Sequence, residues 1–197
     1  MNTPSWTSQS ARILSLTYSI NTNQTHAVNP CYIYGPLADT FPYPEEPSQS
    51  RLSTATHFFR LLYPDARFPS MSGYIDVRDT ARAHVLAITA HNNPNPDRRK
   101  RFPLTSPHPF NWDIAVELIA TNRPSLKPRL FTAPSPTYPR SKIIPPTDYQ
   151  RVEDVLGLKV SEYHTLESTV LDTIDSLVKL EEYWLDNGHA LPEIAPR

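Results

Sequence analysis

Residues 73–88 read GYIDVRDTARAHVLAI, in which a short apolar run passes directly into a helical pattern. Tyr74–Val77 is predicted to be a strand because its residues favour β-structure, and Arg78–Ala90 is predicted to be a helix. The predicted apolar face of this helix comprises Ala81, Val85 and Ile88, with Ala83 and Ala87 beside them. Asp76 or Asp79 lies where a carboxylate stabilises the start of a helix, so structural roles are predicted for both.

Upstream of this segment, Asn29–Pro36 reads NPCYIYGP. Val28, Tyr32, Ile33 and Tyr34 favour β-structure, and we predict a strand from His26 to Tyr34. Pro30 is expected to interrupt the hydrogen-bond ladder of this strand, because proline has no backbone N–H. Gly35-Pro36 then ends the strand in a turn.

The remaining periodic segments extend this α/β pattern. Helices are predicted over Ser50–Leu62, 111–122, 148–156 and Leu166–Trp184, and a short strand is predicted over 101–106. Residues 123–147 are too rich in proline for regular structure. We predict a poorly ordered tail over 1–25, a folded portion over 26–186 and a short tail over 187–197.

The composition excludes several classes of function. The chain has 19 basic and 20 acidic residues, so its charge gives no case for binding nucleic acid or an anionic membrane. Cys31 is the only cysteine, which excludes an internal disulfide and fits a reducing, cytoplasmic location. The histidines show no ligand spacing, so no metal site is predicted. Neither a secretion signal nor a run long enough to span a membrane is expected.

Motifs in three places resemble the second half of the extended short-chain dehydrogenase/reductases. The resemblance is to the subgroup of NAD-dependent epimerase/dehydratase-like and dihydroflavonol-reductase-like proteins. The motifs are NPCYIYGP at 29–36, GYIDVRDTARAHVLAI at 73–88 and VEDVLGLKVSEYHTLESTVLDTIDSL at 152–177. The resemblance covers residues 26–182 in the family's order. It implies an α/β fold, in which the last strands of a Rossmann-like NAD(P)-binding sheet carry a small α/β substrate-binding lobe.

The resemblance also implies two elements that the family carries before the NP turn. One is a GxxGxxG turn that holds the pyrophosphate of the cofactor. The glycines of this chain are too far apart to form it: Gly35, Gly73, Gly157 and Gly188. The other is a catalytic Tyr-x-x-x-Lys pair. Tyr138 and Lys142 have this spacing, but they follow the NP turn and lie among prolines that oppose a helix, so no catalytic residue is predicted.

In the family, the backbone around the NP turn approaches the nicotinamide end of the cofactor. By position, this implies that Pro30, Cys31 and Ile33 bind the cofactor, with a strand end in the core as the structural alternative. Tyr34 and Tyr74 are candidate substrate residues, and core packing is the alternative for both. The resemblance implies NADP or NAD as the cofactor and a small carbonyl compound as the substrate.

We therefore expect the substrate-binding portion of an NAD(P)-dependent oxidoreductase, similar to carbonyl reductases or epimerases and inactive by itself. A sheet cut before the NP strand would expose an unpaired edge, through which the chain would associate with a partner. The alternative is a non-catalytic module that binds a small ligand or pairs with an intact relative.

Overall fold

The computed structural model describes residues 27–64, 73–90, 101–131 and 147–192, and within these ranges the fold is α/β. The strands are β1 (Ala27–Pro30), β2 (Tyr32–Tyr34), β3 (Tyr74–Asp76) and β4 (Arg101–Leu104). The α-helices are α1 (Ala55–Phe59), α2 (Val77–Thr89), α3 (Trp112–Asn122), α4 (Tyr149–Leu156) and α5 (Leu166–Asp186). Short 3-10 helices cover Gln49–Leu52, Arg60–Leu62, Pro124–Arg129 and Val160–Glu162.

The strands form two short parallel pairs, β1 with β4 and β2 with β3. The single strand predicted from His26 to Tyr34 is therefore two strands, which meet at Cys31 and pair with different neighbours. The N–H of Ser106, just after β4, donates to the carbonyl of Tyr74 in β3 at 2.6 Å. This bond joins the two pairs at their ends.

The strand breaks directly after Pro30, as the sequence predicted, but the missing N–H of this proline is not what ends the pairing with β4. Along a strand, the N–H and C=O of one residue point to the same side, and those of the next residue point to the other. The N–H of Cys31 donates to the carbonyl of Leu104 in β4 at 3.1 Å, so Pro30 faces the outer side of β1. Its missing N–H removes no bond between β1 and β4, as is usual for proline in an edge strand.

The pair of β2 and β3 separates two apolar cores, because alternate side chains of a strand point to opposite faces. Tyr34 and Tyr74 lie in the first core, with the phenylalanines of α1 and the inner faces of α3 and α5. Ile33 and Ile75 pack into the second core, with residues of β1, β4 and α4. The NP segment therefore contributes to both cores.

The buried face of α2 differs from the predicted one. Val85 and Ile88 are 62% and 55% exposed, whereas Ala83 is fully buried in the second core. Asp79 and Thr80, in the first turn, are buried as well. Polar contacts at the start of α2 thus determine which side of the helix is buried. These contacts cannot be read from the spacing of its apolar residues.

Two further predictions need correction. The helix predicted over Ser50–Leu62 consists of shorter pieces, because Ser53 has a φ of 50° between the first 3-10 helix and α1. Pro124–Arg129 forms a 3-10 helix within a segment predicted to be irregular. The other predicted helices and strands are confirmed, with ends shifted by about two residues or less.

Helix α5 connects the other elements through ion pairs. Three arginines outside α5 each form an ion pair with a different carboxylate of this helix: Arg78 with Asp172, Arg123 with Asp175 and Arg129 with Glu181. The loop after the NP turn is attached to the same helix. The N–H of Leu37 donates to Ser176, and Trp184 donates to the carbonyl of Pro44.

Some predictions lie outside the described residues. These are the tail over 1–25 and the Tyr138 and Lys142 spacing. The division of the chain at 26 and 187 stays a prediction. None of the helices in the described ranges is long and apolar enough to cross a membrane.

Candidate functional site

The turn at the end of β2 is pressed against the start of α2. Gly35 has a φ of 137°, and a Cβ there would lie 2.5 Å from Cγ1 of Val77, the first residue of α2. Only glycine fits at this position, because any side chain would overlap Val77. Thr54, just before α1, donates its hydroxyl to the carbonyl of Ile33 and holds the other side of the strand end.

The three residues implied as cofactor contacts lie together where β1 passes into β2. Two of their main-chain groups form hydrogen bonds within the chain. Pro30 has no N–H, the N–H of Cys31 donates to Leu104, and the carbonyl of Ile33 accepts from Thr54. Burial raises the pKa of the Cys31 thiol to about 12, so it stays protonated at neutral pH and is no nucleophile. A cofactor role for Pro30, Cys31 and Ile33 stays a prediction.

Tyr34 and Tyr74, the candidate substrate residues, are only 2% and 1% exposed. Phe58, Phe110 and Trp112 surround the Tyr34 ring, with centroids 4.8, 5.9 and 6.1 Å away. Burial raises the pKa of Tyr34 well above its usual range and that of Tyr74 to about 12. Neither phenol is therefore ready to release a proton near neutral pH. Their contact with a substrate stays a prediction.

His57 is a polar member of this aromatic cluster that the sequence analysis did not single out. Its Nδ1 lies 2.9 Å from the hydroxyl of Tyr34, and its ring centroid lies 5.6 Å from that of Tyr32. Burial, assisted by Arg60, lowers the pKa of His57 to about 4, so the imidazole is neutral at neutral pH. Tyr32 is 36% exposed, which places it on the solvent side of the cluster. The available sequence signal was a histidine followed by two phenylalanines.

The four longer helices of the described ranges all begin with a side-chain cap. The four helices of 8 to 21 residues each begin with a side chain that accepts an N–H bond from its own first turn: Asp76, Asn111, Asp148 and Thr165. A pyrophosphate binds a helix start through free N–H groups and the positive end of the helix dipole. Each cap accepts from one of these N–H groups, and the caps Asp76 and Asp148 are carboxylates. The negative charge of these two caps disfavours an anion such as pyrophosphate at the starts of α2 and α4.

The carboxylates of the DVRD motif have structural partners, as predicted. Arg78 bonds to both oxygens of Asp76 at 2.9 and 2.8 Å, and Thr169 donates to the same carboxylate at 2.8 Å. Burial alone would raise the pKa of Asp76, but these hydrogen bonds outweigh burial and lower it. Asp79 accepts from the N–H of His164 at 3.0 Å, and its other oxygen lies 2.7 Å from Nδ1 of the same residue. These contacts fix the start of α2 against the segment before α5.

No metal site is found among the described residues. Across 27–64, 73–90, 101–131 and 147–192, no group of three or more His, Cys, Asp or Glu side chains is placed to hold an ion.

Comparisons with known proteins agree with the motifs. No protein-family profile matches the chain. A putative NADPH-dependent methylglyoxal reductase of Candida albicans is 28% identical over 141 residues, which are 69% of this chain and 38% of that protein. An NADPH-dependent methylglyoxal reductase of Saccharomyces cerevisiae is 26% identical over 160 residues, which are 79% of this chain and 43% of that protein. The chain is similar to a part of each of these reductases.

A solved structure supports the same conclusion about the fold. The structure of Gre2 from Candida albicans in complex with NADPH is 27% identical and has a TM-score of 0.57. The match covers 81% of this chain and 46% of that chain. The predicted α/β, partly Rossmann-like fold is confirmed, as is the resemblance to a portion of a short-chain-type reductase. The chain spans 38% and 43% of the length of the two curated relatives, or about two fifths.

Proposed function

We propose that this chain supplies the substrate-side portion of an NADPH-dependent carbonyl reductase, and that another portion must supply the dinucleotide site. The similarity to two methylglyoxal reductases carries this proposal. The capped helix starts support its second part, because each cap takes one N–H and the carboxylates of Asp76 and Asp148 disfavour a pyrophosphate at their helices. NADPH is preferred over NADH because both relatives are described as NADPH-dependent.

In this proposal, Pro30, Cys31 and Ile33 shape the main-chain surface beside the nicotinamide. Tyr34 and Tyr74 form a rigid wall behind the substrate, and Tyr32 and His57 are the members of the cluster nearest to it. The neutral imidazole and the aromatic rings favour a small uncharged carbonyl compound, because they would not compensate the desolvation of an anion. A cytoplasmic location is part of the proposal and fits the free thiol of Cys31.

The test is the reduction of methylglyoxal, followed by the loss of NADPH absorbance. The chain is assayed alone and after co-expression with the part of the C. albicans relative that lies outside the matched region. We expect turnover only from the co-expressed pair, and none when that part is co-expressed with an unrelated protein. Turnover by the chain alone would overturn the proposal, and so would a soluble, NADPH-binding pair without turnover.

A further inference from the structure

The aromatic face of β2 changes from exposed to buried along the strand. Tyr32 and Tyr34 lie two residues apart, so their side chains point to the same face of β2. Tyr32 is 36% exposed and Tyr34 is 2% exposed. The ring of His57, in α1, contacts both, with centroid distances of 5.6 Å to Tyr32 and 6.1 Å to Tyr34. His57 therefore lies at the boundary between the aromatic core and solvent.

The contact with Tyr34 determines which ring nitrogen of His57 carries a hydrogen. The imidazole is neutral at neutral pH, because burial lowers its pKa to about 4, so only one of its nitrogens is protonated. Nδ1 lies 2.9 Å from the hydroxyl of Tyr34. A phenol hydroxyl donates more strongly than it accepts, because its lone pairs are delocalised into the ring, and it therefore donates to Nδ1. The hydrogen of the imidazole is then on Nε2.

The Nε2 side of the His57 ring is the side that a small molecule can reach. Nδ1 faces the buried Tyr34, and the two nitrogens of an imidazole point away from each other. His57 is half-buried, so the accessible part of its ring is the part that carries Nε2. The rings of Tyr32 and Trp112 lie beside it. The Nε2–H is thus a fixed donor on the solvent side of an aromatic cluster.

We propose that the Nε2–H of His57 binds a second oxygen of the substrate, on the carbon next to the carbonyl group that is reduced. The inference rests on the proposed function and names the substrate class of the same site, which is carbonyl compounds with a neighbouring carbonyl or hydroxyl oxygen. Methylglyoxal belongs to this class, because it has two adjacent carbonyl groups. When one of them is reduced, the oxygen of the other remains an acceptor that requires a donor.

Two arguments favour the second oxygen over the reacting one. The reacting oxygen must receive a proton, and a neutral imidazole does not release its N–H near neutral pH. Among aromatic rings, an uncharged oxygen that loses its water is destabilised unless a donor replaces that water. The Nε2–H of His57 provides this donor, and because it has no net charge it favours a carbonyl or hydroxyl oxygen over a carboxylate. In this role His57 forms and breaks no covalent bond.

Substrate selectivity tests this role in the pair co-expressed with the unmatched part of the C. albicans relative. The kcat/KM for methylglyoxal is compared with the values for propanal and acetone, each of which lacks one of the two carbonyl oxygens. His57→Phe keeps an aromatic ring but removes the N–H, so it should lower kcat/KM for methylglyoxal about tenfold more than for the other two compounds.

The control variant for selectivity is His84→Gln. His84 bonds to the carbonyl of Thr80 within α2, so its replacement should leave the ratio between the compounds unchanged. Equal losses for all three compounds in His57→Phe would assign His57 a structural role and overturn the inference.

Nitrogen NMR of the histidine side chains tests the tautomer on the unaltered chain without any substrate. We expect the hydrogen of His57 on Nε2. Tyr34 is a positioning residue in this scheme, so Tyr34→Phe should give a mixture of both tautomers and lower the selectivity for methylglyoxal less than His57→Phe does. A hydrogen on Nδ1 in the unaltered chain would overturn the inference.

Two uncharged probes test the donor directly. Hydroxyacetone and butanone have the same carbonyl group, and a hydroxyl of the first stands where the second has a methyl group. Each is titrated into the unaltered chain, alone and in the pair. Hydroxyacetone should shift the Nε2 resonance of His57 and butanone should not, whereas equal effects of the two probes would contradict the inference. This comparison decides the matter if His57→Phe does not fold.

The outcomes separate the role of His57 from the proposed function. A shift of Nε2 by hydroxyacetone alone, in a pair that does not reduce methylglyoxal, supports the donor at His57 and overturns the proposed function. Reduction of methylglyoxal with the same selectivity in the unaltered pair and in His57→Phe overturns the inference alone.

Discussion

Gly35 lies at the turn from β2 towards α2, and its missing side chain sets how closely the two elements approach. Its φ of 137° and the 2.5 Å that would separate an added Cβ from Val77 are independent reasons why no other residue fits. The same turn orients Tyr34 and the loop that follows it. We therefore expect a distortion of this turn to displace residues of the candidate site.

Gly35→Ala should lower the free energy of unfolding by about 3 kcal/mol, since it adds a clash to an unfavourable backbone conformation. Gly157→Ala is the matched control. Gly157 also has a positive φ, of 74°, but nothing lies within 4 Å of an added Cβ. Gly157→Ala should therefore lower the free energy of unfolding by only about 1 kcal/mol. Urea unfolding of both variants measures the difference, and equal losses would refute the close contact with Val77.

The burial of His57 predicts a pH dependence of stability. In the unfolded chain the imidazole binds a proton near its ordinary pKa of 6.5, whereas in the folded chain it does so only near 4. Between these values the unfolded state holds more protons, so stability should fall as the pH drops from 6.5 to 4.

The variant His57→Gln tests this assignment in urea unfolding experiments across that pH range. It should flatten the decline, because glutamine does not titrate. His84→Gln is the control, since His84 bonds to the carbonyl of Thr80 within its own helix. A decline that persists unchanged in His57→Gln would show that other groups cause it.

Single residues differ in how far the sequence could predict them. The roles of Asp76 and Asp79 followed from their place at a helix start, which is a local property. His57 bonds to a tyrosine 23 residues away, and no spacing rule records such a contact. Tyr34 and Tyr74 were recognised as strand-end aromatics, but their depth of burial depends on α3 and α5, which pack around them from distant parts of the chain.

Among the secondary-structure elements, β4 and α5 have the clearest polar contacts. β4 is short, and side chains from 147–151 close its edge where another strand would otherwise pair. Three carboxylates of α5 form ion pairs with one arginine from each of three other segments. Both elements therefore fix the position of their neighbours as well as their own.

Thr147→Val should destabilise the chain by about 2 kcal/mol, because it leaves the carbonyl of Pro103 and the N–H of Thr105 without their partner. Tyr149→Phe removes a longer contact of 3.3 Å from the same edge and should cost less, about 0.5 kcal/mol. Thermal unfolding compares the two variants. A larger loss for Tyr149→Phe would contradict the central role of the Thr147 hydroxyl.

The ion pairs of α5 should differ in strength according to burial. Glu181 is 4% exposed and bonds to Arg129 through both oxygens, so Glu181→Gln should cost about 3 kcal/mol. Asp175 is 39% exposed, and Asp175→Asn should cost about 0.5 kcal/mol. Urea unfolding at low and high salt tests the contrast, and salt should weaken only the contact of Asp175. Similar losses in both variants would contradict it.

At this scale the sequence predicted the existence of elements better than their orientation. Helical spacing located α2, α3, α4 and α5. The predicted buried face of α2 was wrong, because the buried Asp79 and Thr80 orient the helix so that Val85 and Ile88 point to solvent. The break before α1 was missed because it depends on the backbone of Ser53, where the residue type carries no signal for a positive φ.

At the scale of the molecule, the described residues form two apolar cores, which the pair of β2 and β3 separates, and side chains from 147–151 bind the outer edge of β4. Its relatives are NADPH-dependent reductases of which it matches about two fifths in length. The motifs at 29–36, 73–88 and 152–177 predicted this relationship from the sequence. Which edge of the sheet is closed could not be predicted, because it depends on side chains placed by α4.

We propose that this chain carries the substrate side of a reductase and that another portion binds the dinucleotide. A calorimetric titration of NADPH into the purified chain tests it most directly, with the co-expressed pair as the control. We expect saturable binding by the pair and no saturable heat from the chain alone, because the four longer helices of the described ranges begin with caps from its own side chains. Saturable binding of NADPH by the chain alone would show that this chain holds a dinucleotide site of its own.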